Sequence, residues 1–495
     1  MFLNLRKHRL VIILIGAVLT VGVSVPAFMT ASCLTRQQTP AEGRALESLR
    51  AMTRGGVLPA EDVVARIEND FPRTKAAALA RLVRARIKID QKDYAGAATL
   101  LDSSVIGSYS VLGDYALFMR ATALEQAGRT AEARAAYDQV VADYASSLRA
   151  KHAALRSADI LLRSGNTSAV PAALRTFAEA DDGTALLLTA RAYEQAGDST
   201  RAIAAYRRLH FYAPASSESL EAARALPRLG SNLWPGSAEE AMARADKLFE
   251  SRKFGEALPA YTDAFTRFPN VANPQAQLRK VIAATTARKM SEAVSALNTI
   301  PASAGEVRAE ALYNVAQGHA RAKQWADART ALDELRKSFA SSQFAPRAFV
   351  AVGQIAEDAN NDADATYFLR TAVNTYQSSI EVAQAQFDLA WMAHEDRNFA
   401  ESSKLLTEHL AYYAHRNTDN RGRAGYWAAR DSERAGKLDE ARALYNAMQA
   451  RYDANWYGYL AKQRLDVMMR SGVATVPAKI FTPDSVVGRA IANLK

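Results

Sequence analysis

An alanine that opens a helix returns along this chain at a near-constant interval. It follows an aromatic or small residue and two or three short or polar ones. The instances are Tyr94-Ala-Gly-Ala97, Thr130-Ala-Glu-Ala133, Phe254-Gly-Glu-Ala257, Met290-Ser-Glu-Ala293, Trp325-Ala-Asp-Ala328, Phe399-Ala-Glu-Ser402 and Leu438-Asp-Glu-Ala441, with degenerate copies at Ala169, Ala202 and Ala365. Successive anchors are 33 to 39 residues apart, except for a gap of 55 between Ala202 and Ala257. A unit of that length holds two helices and a turn. No single hairpin buries its apolar face, so neighbours must stack into a solenoid with a concave surface.

Each unit supplies the residues such stacking needs. Alanines on the first helix, as in Ala121-Thr-Ala123 and Ala190-Arg-Ala192, let the second helix approach closely. Gly128, Gly197 and Gly436 follow the first helix, where a left-handed C′ residue is least costly as glycine. Glu132 and Glu440 fall in the first turn of the second helix, favoured by its dipole. Tyr137, Tyr206, Tyr261 and Tyr445 each come four residues after an anchor and turn inward with it. Tyr144-Ala-Ser-Ser147, Phe339-Ala-Ser-Ser342 and Tyr376-Gln-Ser-Ser379 mark exits, with a serine to cap the next helix; Phe71-Pro72 and Phe268-Pro269 use proline as the breaker. The interval is close to the tetratricopeptide period of ~34 residues. The predicted fold is all-α, a right-handed α-superhelix of tetratricopeptide-like helical hairpins. Residues 41–209 read as an N-terminal solenoid and 238–470 as a C-terminal one. Residues 210–237, with Pro214, Pro227 and Pro235, read as a linker made of a short helix and a loop.

The formal net charge is +10, and residues 1–40 account for +4 of it through Arg6, Lys7, Arg9 and Arg36 with no acid. The rest is only mildly basic, and no Lys/Arg stripe interleaved with stacking aromatics is visible, so nucleic acid is not the expected partner. After the basic start, Leu10 to Ala31 runs uncharged and largely apolar. Residues 1–33 are therefore read as an export signal or membrane anchor, with the N-terminus in the cytoplasm and the remainder carried across. The single cysteine, Cys33, directly follows this run in the order Thr30-Ala31-Ser32-Cys33. Small residues before a lone cysteine resemble a bacterial lipoprotein cleavage site, although Thr30 stands where an aliphatic residue is usual. The resemblance implies acylation of Cys33; the alternative is an incidental residue beyond an uncleaved anchor. One cysteine permits no internal disulfide and no thiolate zinc cluster.

Catalytic motifs are missing from the sequence. It holds no phosphate-binding glycine loop, no His-Glu-x-x-His and no nucleophile elbow. His394, His409 and His415 are the closest histidines, with no carboxylate or thiol pattern to make them metal ligands. No cofactor is expected. The aromatics Trp391, Tyr426, Trp427, Trp456, Tyr457 and Tyr459 could stack on sugar rings, but aromatics at helical spacing also fill the gaps between hairpins. Trp456, Tyr457 and Tyr459 are singled out as candidate glycan or domain contacts because they follow the last regular hairpin.

The stretch Arg423–Leu465 resembles the last repeat of the superhelical arm of soluble lytic murein transglycosylases. Arg423, Tyr426-Trp427, Arg430, Gly436, Ala441, Tyr457-Gly458 and Leu460-Ala461 fall where that family carries an arginine, Tyr-Trp, arginine, turn glycine, alanine, Tyr-Gly and Leu-Ala. Residues 471–495, and Asp484–Lys495 in particular, look like the start of the family's linker region. In that family a catalytic domain follows, whose acid is a glutamate followed by serine. Here Glu47-Ser48, Glu218-Ser219, Glu250-Ser251 and Glu401-Ser402 occur inside hairpins or the linker, without the family's accompanying segments. They are read as ordinary helix or loop residues. The resemblance implies a periplasmic, membrane-anchored or lipidated scaffold associated with peptidoglycan processing. Its partners would be proteins, a separate catalytic domain or the glycan itself. An envelope-assembly adaptor lipoprotein is the alternative, and a glycosidase in its own right is disfavoured.

Overall fold

The computed structural model describes residues 39–495 except 103, 378, 414–420, 453–454 and 473–478. The leader and Cys33 lie outside the described residues, as does His415. Among the described residues every regular element is a helix, so the all-α class and the hairpin build are as the sequence implies. No helix among them is long and apolar enough to cross a membrane.

The chain divides into two compact units, up to Ile160 and from Leu161 onward. The first contains α1 (Pro40–Met52), α2 (Glu61–Asp70), α3 (Lys75–Asp90), α4 (Tyr94–Leu101), α5 (Ser104–Tyr109), α6 (Gly113–Gln126) and α7 (Thr130–Asp143), and α8 (Ala150–Arg163) carries the boundary. The second opens irregularly with α9 (Val170–Ala173) and α10 (Arg175–Glu179), followed by the hairpin α11 (Gly183–Gln195) and α12 (Ser199–Tyr212) and the single helix α13 (Ser219–Arg228). Regular hairpins then follow: α14 (Ala238–Glu250) with α15 (Phe254–Arg267), α16 (Pro274–Thr286) with α17 (Met290–Asn298), and α18 (Glu306–Arg321) with α19 (Trp325–Ser338). They continue as α20 (Phe344–Asp358) with α21 (Asp362–Thr375), α22 (Val382–Glu395) with α23 (Phe399–Tyr413), and α24 (Arg421–Arg434) with α25 (Leu438–Tyr452). The unit ends with α26 (Trp456–Arg470) and α27 (Val486–Leu494).

Of the anchor alanines Ala169 is only half-buried, in a 3₁₀ turn, whereas Ala97, Ala133, Ala202, Ala257, Ala293, Ala328, Ala365 and Ala441 are each 0% exposed. A larger side chain at any of them would push the two helices of a hairpin apart. The left-handed turn residue is glycine at Gly128, Gly197 and Gly436, but Lys92, Arg252, Arg288, Lys323 and Arg397 hold the same conformation, with φ between 58° and 63°. Two of the exit serines, Ser147 and Ser342, accept a backbone N–H at the entry to the next helix without being its N-cap residue, while Ser379 instead donates to Glu381. Ser147 Oγ accepts the Arg149 N–H at 3.0 Å, and Ser342 Oγ accepts that of Phe344 at 3.1 Å. Each also ties its hairpin closed, since Ser147 donates to Asp114 at 2.5 Å and Ser342 to Glu306 at 2.7 Å.

The inward tyrosines carry a further pattern that links one hairpin to the next. Tyr137 donates to Glu125, Tyr206 to Glu194, Tyr261 to Asp246 and Tyr445 to Glu433, each acid lying on the preceding first helix. An arginine from the following helix then pairs with that same acid: Arg156 with Glu125, Arg228 with Glu194, Arg279 with Asp246, and Arg464 with Glu433. The phenols are 0–1% exposed, so their hydroxyls need a partner, and the acid supplies it. The charge-assisted pair ties the next hairpin in register.

Within residues 210–237, α13 buries Ala222, Ala225 and Leu226, and a non-helical stretch follows to Ser237. Arg207 holds that stretch in place, donating to Asn232 O at 3.3 Å and Trp234 O at 3.0 Å while pairing with Glu240 at 2.5 Å. Further on, α27 folds back onto α23 and α25. There Asn493 Nδ2 donates to the carbonyls of Leu410 at 3.0 Å and Ala411 at 3.1 Å.

Candidate partner-binding surface

Neighbouring first helices of the second unit approach one another closely, as α16 does α18 and α18 does α20. Farther along, between α22 and α24, large rings make the contact instead. Trp391 stacks on His394 with centroids 4.7 Å apart and planes 15° apart, and Trp427 meets both edge-on, at 5.4 Å and 4.7 Å. Phe387 lies parallel to Trp391 at 6.4 Å. The Arg423 guanidinium sits 4.7 Å over Phe387 and 4.8 Å over Trp391. Trp391, His394, Arg423 and Trp427 are all half-buried, so each keeps part of its surface in solvent.

The imidazole is fixed from below. His394 Nδ1 lies 2.7 Å from Asp431 Oδ2, and Ser402 Oγ donates to the same oxygen at 2.7 Å. Asp431 is fully buried, and Arg434 stands 3.6 Å from its other oxygen. A carboxylate only accepts, so the imidazole must donate from Nδ1. In the neutral ring Nε2 is then an acceptor facing away from the aspartate. Trp391 Nε1 donates to Glu395 at 2.8 Å. Beside this patch Asp388 is pushed up by burial, against hydrogen bonds from Gln384 and Gln354 and the nearby charge of Arg423. Burial and the neighbouring charges of Asp388, Asp358 and Glu395 push Glu357 up as well. The result is an aromatic surface with one ring-stacked guanidinium, one oriented imidazole and an acidic margin.

The structure separates the sequence-selected residues. Trp456 is 65% exposed and Tyr459 51% exposed, and their rings stack at 5.8 Å on the outer side of α26. Tyr457 points the other way and packs against Tyr426 at 6.1 Å. His394 and His409 serve different ends. His409 is fully buried on α23 with Nδ1 3.0 Å from Ala383 O, and burial drives its pKa down to about 4. No cluster of histidine, cysteine or carboxylate among the described residues has the arrangement of a metal site. His394 does have a carboxylate partner, contrary to the pattern read from sequence. Asp431 lies 37 residues on, about one repeat away, and the repeat spacing was the signal that could have found it.

Of the Glu-Ser pairs, Glu218 is the most enclosed. Burial pushes its carboxyl up, yet hydrogen bonds from Thr184 and Ser217 bring the net shift below the ordinary range. A glycosidase acid needs the opposite shift. Glu401 pairs with Arg370 at 3.3 Å, and Glu250 lies on an exposed helix end 3.7 Å from Lys247.

Tetratricopeptide-repeat family models match residues 115–147 and 184–210, and a second such model matches 242–306 and 313–380. These segments coincide with α6–α7, α11–α12, α14–α17 and α18–α21. Comparison with curated proteins gives no match. Among solved structures, a tetratricopeptide repeat protein from Parabacteroides merdae ATCC 43184 aligns at 12% identity and TM-score 0.22, over 62% of this chain and 96% of that one. The P58(IPK) TPR domain aligns at 14% identity and TM-score 0.23, over 72% and 99%. The APC/C hetero-tetramer Cut9–Hcn1 aligns at 12% identity and TM-score 0.22, over 92% and 99%. None of these matches adds support for the lytic transglycosylase resemblance of Arg423–Leu465. With the anchors, turns and hairpins above, the two family models show that the chain carries tetratricopeptide repeats and has the all-helical fold of such repeats.

Proposed function

We propose that this protein is a non-catalytic scaffold of the cell envelope that holds a protein partner on the first-helix face of its last hairpins. One observation carries the reading: the Phe387–Trp391–His394–Trp427 surface with Arg423 stacked on it. Tryptophan and arginine contribute disproportionately to protein interfaces, and here they are already packed against one another, which reduces the ordering entropy lost on binding. The acidic margin around Asp388 and Glu357 favours a partner segment that pairs an apolar residue with a basic one, while Arg423 offers one site for a carboxylate. The test is crosslinked co-purification of the tagged full-length chain from its own cells. Trp427→Ala and Arg423→Ala, each with wild-type helical content, should weaken recovery of a specific partner by about tenfold or more. Equal recovery would remove this surface from the account.

The envelope location rests on the basic start and the apolar run Leu10–Ala31. An alkaline phosphatase fusion after residue 40 should be active, and an inactive one would place the repeats in the cytoplasm. Lipidation of Cys33 is proposed with it: a palmitate analogue should label wild type but not Cys33→Ser. A second reading, contact with peptidoglycan as in a transglycosylase arm, is favoured by the outward Trp456–Tyr459 stack, a flat platform of the kind sugars pack on. Retention on purified sacculi should fall in Trp456→Ala, and unchanged retention would leave the protein-partner reading alone.

A further inference from the structure

A second departure from the repeat lies at residues 167–179. The second helices of the later hairpins run from 9 to 15 residues. Here the same position holds a 3₁₀ turn at Thr167–Ala169, then α9 with 4 residues and α10 with 5. Pro171 sits in the first turn of α9. Two short helices cannot cover the hairpin α11–α12 as one long helix would, and a cavity of about 740 Å³ opens against it. That volume is within the range of small-ligand sites.

The floor is aliphatic, and polar and charged side chains make up about half of the lining, mostly at the rim. Leu186 and Ala192 form buried floor, with Ala172, Ala178 and Ala205 around them. Thr189 lines the cavity at only 8% exposure, and its hydroxyl has no hydrogen-bond partner among the described residues. A buried hydroxyl without a partner is costly, and a ligand that bonds it removes that cost. Most charged groups at the rim are spoken for. Arg201 pairs with Asp198 at 2.5 Å and lies over Tyr193, and Arg208 pairs with Asp181 at 2.8 Å. Arg175 and the Glu179 carboxylate, one helical turn apart on α10, have no ion-pair partner among the described residues. Among the described residues the lining thus offers one cation and one anion without an ion pair and one buried hydroxyl without a hydrogen bond, over an aliphatic floor.

We propose that this cavity binds a short apolar peptide with free termini. The peptide carboxylate meets Arg175, its ammonium meets Glu179, its amide uses the Thr189 hydroxyl, and its aliphatic side chains cover the alanines. A simple fatty anion would leave Glu179 facing like charge, and a cation would leave Arg175 so. The site is independent of the surface on α22 and α24. The test is isothermal titration of the full chain with Leu-Leu, N-acetyl-Leu-Leu and Leu-Leu amide. Leu-Leu should bind with a Kd below about 1 mM, and each blocked form should bind at least about tenfold more weakly. Glu179→Gln should weaken Leu-Leu but not N-acetyl-Leu-Leu, and Arg175→Ala should weaken Leu-Leu but not the amide. Ala204→Trp, at an exposed lining position, should close the cavity and abolish binding. No binding of Leu-Leu at millimolar concentration, equal binding of free and blocked forms, or indifference to the two charge variants would each overturn the proposal.

Discussion

At the scale of single residues, burial decides what each polar side chain does. His409 on α23 is fully enclosed, with one ring nitrogen on Ala383 O and the other without a partner. Burial lowers its pKa to about 4, and burial together with the charges of Arg244 and Arg207 does the same to His210. An unfolded histidine titrates near 6.5. Both residues are therefore neutral in both states above that value and cost nothing there. As pH falls from about 6.5 to 4 the unfolded chain takes up protons that the folded chain refuses, and stability drops by about 3 kcal/mol per histidine. Denaturation midpoints followed between about pH 7.5 and 4.5 should show this loss, and His409→Phe should flatten it. An unchanged slope would mean that His409 is not held neutral by burial. Tyr445 is a simpler case. Its hydroxyl meets the partly buried Glu433, so Tyr445→Phe should cost about 1–2 kcal/mol in urea titration, and a neutral substitution would show that Arg430 and Arg464 satisfy the acid without it.

At the scale of elements, the sequence announces the hairpins through their alanines but not the partners of their tyrosines. Ala133 and Tyr137 are one turn apart, so local periodicity reveals their shared face. Glu125 and Arg156 come from neighbouring helices, and only stacking brings them together. The turns show a different limit. Glycine is expected at the left-handed position, yet Arg288 and Lys323 take it without steric exclusion of the turn. A side chain in that conformation costs about 1 kcal/mol, which glycine would not. Arg288→Gly and Lys323→Gly should each raise stability by about 0.5–1 kcal/mol on thermal unfolding, and a loss would reveal a role for the basic side chain. The segment 210–237 was legible as irregular from its prolines. Its tether through Arg207 was not, because nothing local pairs Arg207 with Trp234 and Glu240.

At the scale of the whole molecule, a solenoid binds through faces that no single repeat contains. Trp391 and Trp427 are 36 residues apart and look like two ordinary packing aromatics in the sequence. Set edge to face, they flank His394, Trp391 lies under Arg423, and the surface exists only because two first helices are spaced by rings instead of alanines. The last-hairpin aromatics were legible as a place to look, and the structure divides them into packing (Tyr457) and outward display (Trp456, Tyr459). The most direct measurement of the central claim is site-specific photo-crosslinking in living cells. A photoreactive amino acid at position 427 and another at the exposed position Arg370 on the second helix α21 would be compared in the full-length chain. The account predicts one discrete protein adduct at 427, lost when Arg423→Ala is added, and none at 370. Adducts of equal yield at both positions, or none at 427, would contradict it.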